Sequence, residues 1–205
     1  MEKVIFKFMV FISGVLLMTS CVVEQEIRFN EDYSGTVTTT IQLGDMLAGM
    51  EAEESDATLK QMEDSLSQTD QFGLNKMEGI SNFRTRIDRE SKALIMQYDF
   101  ADIDALNRGM SGLSTDEMPM TTARVTQRGR KIIYELDGAG ADAGADSLAS
   151  AFGEMESMIS FRTTIIVPGT VKKVKSKQLV QYEGSAVFWD REMSDDELKV
   201  VIKVK

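Results

Sequence analysis

Period-two alternation starts one residue after the chain's only cysteine and returns at intervals to the C-terminus. Val23, Gln25, Ile27 and Phe29 alternate with Val22, Glu24, Glu26 and Arg28, the pattern of a half-buried strand. Asn30-Glu31-Asp32-Tyr33-Ser34-Gly35 is a turn cluster, and Thr36–Leu43, rich in Thr, Val and Ile, suits a pleated surface. This first unit reads as a hairpin. Residues 45–68 then switch to a helical period, with Met46, Leu47, Met50, Leu59, Met62 and Leu66 on one side. The Glu51–Asp56 section is polar enough to break that helix in two.

The unit recurs. Ile80–Arg89 alternates, Arg89-Glu90-Ser91 turns the chain, Lys92–Phe100 is apolar, and Asp102–Met110 is a short helix candidate. A third round runs through Thr122–Thr126, a turn at residues 127–130, and Lys131–Leu136. A Gly/Ala/Asp loop at 137–145 leads to a helix over about 146–158, with Leu148, Phe152, Met155 and Ile159 as its apolar stripe. Strands at 160–167, 170–175, 184–189 and 198–204 close the chain. The expected fold is α+β: a mostly antiparallel sheet built from hairpin-helix units, helices on one face, and a β-rich C-terminal tail. Residues 21–205 read as a single domain. No identity links the three units, so this is a shared pattern rather than a sequence repeat.

The segment before the cysteine has another character. Lys3 and Lys7 precede an apolar run from Phe8 to Met18, which is too short to cross a hydrocarbon core of ~30 Å. A basic start, a short apolar stretch and small residues are the layout of a removed secretory signal. Leu16-Leu17-Met18-Thr19-Ser20-Cys21 reads as a lipobox, although the leucine expected three residues before the cysteine is Met18, with Leu17 one step back. Residues 1–20 are therefore expected to be removed and Cys21 to be diacylated. Two acyl chains satisfy the requirement for stable anchoring that one chain does not meet. With one Cys in the chain, no internal disulfide can form. Val22 is not the aspartate that retains some lipoproteins at the inner membrane, so an outer membrane is preferred where the source has one.

Charge and composition narrow the function classes. The net charge is −10, and loss of Lys3, Lys7 and Glu2 leaves the remainder one unit more acidic. That argues against nucleic acid as a general partner, since phosphate binding needs a basic face. Histidine is absent, which removes the commonest general base and zinc ligand. No cofactor or metal is expected, and the chain reads as a non-enzyme. The competing class is an aspartate-dependent hydrolase.

Two stretches carry a resemblance. Glu26-Ile27-Arg28-Phe29-Asn30-Glu31-Asp32-Tyr33-Ser34-Gly35-Thr36 follows the cysteine. Ile165-Ile166-Val167-Pro168-Gly169-Thr170-Val171 and Glu183-Gly184-Ser185-Ala186-Val187-Phe188-Trp189 lie near the C-terminus. Together with the lipobox, this order resembles the LppM-like family of bacterial lipoproteins. The resemblance covers the two ends, about 60 residues by count of those stretches and their surroundings. It implies a place at the cell envelope and, for some members, contact with lipid or glycolipid. It transfers no binding residue. On physical grounds Pro168-Gly169 suits a type II turn, and Trp189 suits a core anchor better than a ligand-stacking platform.

Four groups of residues remain as candidates. Asp99, Asp102 and Asp104 cluster near a strand end. They suit acid/base or calcium chemistry on one reading, and a strand exit with Asp102 as helix cap on the other. Asp137, Asp142 and Asp146 punctuate a Gly/Ala loop, but a single copy is not the tandem calcium turn and the EF-hand position falls on Leu148. Methionines on the 45–68 and 146–158 helices would line either a lipid-accepting groove or an ordinary core. Lys173, Lys175 and Lys177 alternate, as do Lys199, Lys203 and Lys205. Alternation puts each set on one strand face. Lys173, Lys175 and Lys177 form a candidate lipid-facing basic strand, and the same lysines would also protect a sheet edge. The resulting expectation is a membrane-anchored envelope lipoprotein that contacts lipid or an envelope protein. An adhesion or scaffold module is the remaining alternative.

Overall fold

The computed structural model describes residues 21–44, 47, 51–67, 73–112, 123–136, 159–192 and 198–205. Eleven strands and two α-helices form among them. The first hairpin is β1 (Cys21–Phe29) and β2 (Gly35–Gln42). Helix α1 (Ala52–Ser67) and a short 3-10 turn (Leu74–Lys76) precede a second hairpin, β3 (Ile80–Asp88) and β4 (Ala93–Phe100). Then come α2 (Ile103–Gly112), β5 (Ala123–Arg128) and β6 (Lys131–Leu136). The remaining strands are β7 (Ile159–Ile166), β8 (Val171–Lys175), β9 (Gln181–Glu183), β10 (Ala186–Glu192) and β11 (Leu198–Val204). The α+β expectation is met, with mostly antiparallel pairing.

The local chemistry explains the turns. Asp32 accepts hydrogen bonds from the Ser34 amide at 3.0 Å and hydroxyl at 2.6 Å. Those bonds hold its carboxyl below the usual range. Tyr33 is left-handed, with φ 63°, and its ring packs edge-on against Phe29 at 6.4 Å. At the third hairpin Gly129 takes φ 60°, which lets a two-residue turn close between Arg128 and Lys131. Strand β5 thus runs two residues into the predicted 127–130 turn, while β6 starts at Lys131 as expected. Gly169 after Pro168 has φ 99°, as the type II geometry requires. Helix α1 begins inside the polar section, with Glu53 and Glu54 in its first turn, where carboxylates suit the helix dipole. Asp102 caps α2 by accepting the Ala105 amide at 2.7 Å.

The β-rich C-terminal tail forms as expected, and its strands divide between two sheets. The larger sheet has the order β3-β4-β2-β1-β7-β10-β9, and the smaller β5-β6-β11-β8. β7 pairs parallel with β1, from Cys21↔Ile159 to Arg28↔Ile166. β10 follows antiparallel, while β8 and β11 cross to the other sheet and flank each other beside β6. Strand β9, too short and polar to read by alternation, pairs with β10 at the edge. The hairpin pattern was local, but which sheet each tail strand joins is settled by long-range burial.

Both sheets contribute to one buried cluster. Ile27, Val37, Tyr98, Ile165 and Val187 from the larger meet Val125, Ile132, Tyr134, Val200 and Ile202 from the smaller, with Ala105 and Leu106 of α2. Trp189 is 3% exposed and meets Tyr134 edge-on at 5.1 Å. It is the core anchor expected. A second cluster joins Leu59 of α1 to Leu43, Leu47 and Ile87. Residues 37, 41 and 43 share one face by the period of two. Val37 packs in the first cluster, and Ile41 and Leu43 in the second. Both helices therefore lie on the same face of the larger sheet. Asn107 of α2 also pairs with a strand as another strand would. Its amide donates to the Val125 carbonyl at 2.8 Å and accepts the Val125 amide at 2.7 Å. This occupies part of the free edge of β5.

Candidate functional site

The basic strand predicted from Lys173, Lys175 and Lys177 falls on β8 and the residues just past it. β8 is an edge strand of the four-stranded sheet. In that sheet Ile132, Tyr134, Leu136, Val200, Ile202 and Val125 are buried. Their alternating neighbours therefore point outward. Strand register then brings together residues far apart in sequence. Arg128 lies opposite Lys131, Lys131 opposite Lys203, and Lys203 opposite Lys173. Four cations form one row across all four strands, ~14 Å long at the usual strand spacing. All four are exposed.

The next row differs. Thr126, Ile133, Val201 and Lys175 lie opposite one another in turn. Ile133 and Val201 are half-buried, so the centre of this face is apolar. In the third row Glu135 stands between Arg124 and Lys199 and forms an ion pair with Lys199. Two open depressions mark the face. One is lined by Arg128, Lys131, Lys173 and Lys203 around Ile133 and Val201. The other has Lys175, Lys177, Gln178 and Lys199 beside Leu136 and Leu198.

Edge protection explains part of this arrangement. Lys173 and Lys175 sit on an edge strand, where lysines discourage pairing with another chain. It does not explain Lys131 and Lys203, which lie on the two inner strands. Like charges directly opposite one another destabilise a sheet, so the row works against the fold that carries it. The sequence reading picked out Lys173 and Lys203 separately and missed Arg128 and Lys131. The tight Arg128-Gly129-Arg130-Lys131 hairpin was the available signal for the Arg128–Lys131 pair. Nothing local relates that pair to Lys203.

The acidic candidates have structural partners. Asp99 accepts from Thr36 Oγ1 at 2.9 Å and from Asn82 Nδ2 at 2.7 Å. Asn82 sits at φ 54° in a break of the β3–β4 register, and its bond to Asp99 supports that bulge. Asp102 is the cap described above. Asp104 lies in the first turn of α2. Among the described residues no three carboxylate or sulfur ligands converge as a metal site would require. Asp137, Asp142, Asp146, Met46, Met50, Met155 and Met158 lie outside the described residues, as does the 146–158 helix. Met96 and Met110 are core residues.

Cys21 is the first residue of β1, pairing with Ile159. The sheet therefore begins at the cysteine with no intervening flexible linker. Residues 1–20 lie outside the described part, and no described helix is long and apolar enough to cross a membrane.

No protein-family model matches the chain, and no curated protein matches it in sequence. Among solved structures, the folded domain of LppM from Mycobacterium tuberculosis aligns at TM-score 0.46 and 12% identity, over 91% of each chain. The Mu homology domain of Danio rerio Fcho1, with a bound Eps15 peptide, aligns at TM-score 0.25 and 7% identity, over 90% of this chain and 78% of that one. The first is a weak likeness of fold. Neither carries an argument about function.

Proposed function

We propose that this chain is a lipid-anchored, non-catalytic protein of a bacterial cell envelope, held by acyl chains on Cys21. It contacts an anionic surface through the outer face of its four-stranded sheet. The observation behind the contact is the row Arg128–Lys131–Lys203–Lys173 on a chain of net charge −10. Burial does not require cations at those positions, and edge protection accounts only for the outermost. The lipobox and the start of β1 at Cys21 support the anchor, which would hold the first strand within a few residues of the bilayer. The aspartates that would serve a hydrolase are engaged in a strand bulge and a helix cap, which favours the non-catalytic role. With Val22 after the cysteine, the outer membrane is the preferred site in a two-membrane organism.

The anchor is tested by labelled palmitate in cells producing the wild type or Cys21→Ala. Label in the wild type and none in the variant is the expected result. Equal label in both overturns the anchor.

A further inference from the structure

We propose that the outer face of the four-stranded sheet lies flat on an anionic bilayer, with Ile133 and Val201 at its centre and Leu179 entering the headgroup layer at its rim. This rests on the envelope reading for the kind of surface met. It is independent of whether Cys21 is acylated.

The arrangement favours a bilayer over other anions. A small anionic ligand calls for an enclosed pocket, whereas the depression these cations line is open and their backbone row runs ~14 Å across four strands. A soluble polyanion would match the cations but leave the half-buried Ile133 and Val201 between the rows without an apolar partner. A membrane interface offers phosphates for the cations and acyl boundary for the apolar centre.

The 176–180 connection adds to this. Leu179 is 83% exposed and lies two residues from Lys177, so their Cα atoms are within about 7 Å. Val180 packs on the core and the Gln178 amide donates to Ser176 Oγ at 3.1 Å. The connection is therefore tethered on both sides of an outward leucine. Tyr182, 50% exposed on β9, follows. Isolated exposed leucines are common. One beside a cationic face is what an interfacial anchor needs. The acidity of the rest of the chain turns other faces away from an anionic surface.

The test uses the full chain carrying Cys21→Ala and vesicles of phosphatidylcholine with or without phosphatidylglycerol. Residues 8–18 contribute to both lipids, and Lys3 and Lys7 add the same basic share to every variant, so the readout is the change in the phosphatidylglycerol-dependent increment between the intact face and its variants. That increment is expected to fall as salt rises. Lys131→Gln/Lys203→Gln should weaken it roughly 25-fold, about fivefold per cation, while the melting temperature stays level or rises slightly as the opposed charges are removed. Leu179→Trp should show blue-shifted emission on these vesicles and quenching by brominated acyl chains. Buried Trp189 supplies a constant background. No phosphatidylglycerol dependence, or an unaltered increment in the double variant, overturns the proposal. So does unshifted Leu179→Trp emission, or binding to soluble polyphosphate with none to vesicles. Palmitate labelling that survives a failed vesicle test leaves the anchor standing, and the reverse outcome leaves the face standing.

Discussion

The outer faces of the two sheets use the same charged residues in opposite ways. On the larger sheet, one cross-strand row runs Glu24–Arg162–Asp190. Arg162 bonds Asp190 at 2.8 Å and Glu24 at 3.3 Å, and both acids hold its guanidinium firmly protonated. Arg28 meets Glu26 at 3.0 Å, and Arg84 donates to Gln97 at 2.9 Å. The Glu24–Arg162–Asp190 row thus satisfies its own charges. On the smaller sheet, one row is cationic across four strands, and the ion pair formed there among the described residues is Lys199–Glu135, in another row. A face that neutralises itself needs nothing from outside. A face that repels itself is relieved by a surface of opposite charge.

The largest expected effect comes from breaking what the two sheets share. Trp189→Ala removes the ring packed on Tyr134 and should cost about 3–5 kcal/mol, measured by denaturant unfolding. If the sheets depend on each other, tryptophan-independent probes on both should shift together. Separate transitions would mean that each sheet holds its own core. Next, Asn107→Ala strips both side-chain bonds from Val125 and should cost about 1–3 kcal/mol. Hydrogen exchange at the Val125 amide should accelerate more than at Val37. Equal protection in the variant would rule out Asn107 as the cover of the β5 edge.

Alkaline pH probes the inner faces. Burial raises the pKa of Tyr98, on the larger sheet, and of Tyr134, on the smaller. The folded state then keeps protons that the unfolded chain loses above its ordinary value of 10.0. The stabilisation is complete below that value and declines as pH rises beyond it, by about 1.4 kcal/mol per pH unit for each tyrosine. Tyr98→Phe should flatten this decline. Its hydroxyl has no hydrogen-bond partner among the described residues, so the substitution should cost nothing near neutral pH. A steep neutral-pH loss in Tyr98→Phe would contradict that environment.

The smallest effects bear on the outer faces. Lys203→Glu should stabilise the smaller sheet and Asp190→Lys destabilise the larger, each by about 0.2–1 kcal/mol. The sign depends on whether the substitution creates or removes alternation. Added salt should shrink both differences. Like signs for the two swaps would mean that the rows do not differ as described.

Much of the fold was legible because its information is local. Alternation located both strands of the first three hairpins, and Asp102 was recognisable as a cap candidate because it directly precedes a helical run, where a carboxylate accepts a first-turn amide. The tail strands were legible one by one but their partners were not, because β7 joins β1 in parallel across more than a hundred residues. The paired strands have nothing local in common. For the site, alternation marked Lys173 and Lys175 as sharing a face, but the partners that turn two lysines into a row sit on three other strands.

The sequence alone determined the chemistry available: a lone Cys21 after a signal-like segment, an acidic chain without histidine, and lysines at period two. Side-chain alternation is a property of one strand, so it can be read one strand at a time. Only the tertiary structure decided which cations stand together. Register is set by burying Ile132, Tyr134, Val200 and Ile202 against the larger sheet, and the outward residues take whatever neighbours that burial assigns. The cationic row is therefore written on the inner face of the strands as much as on the outer.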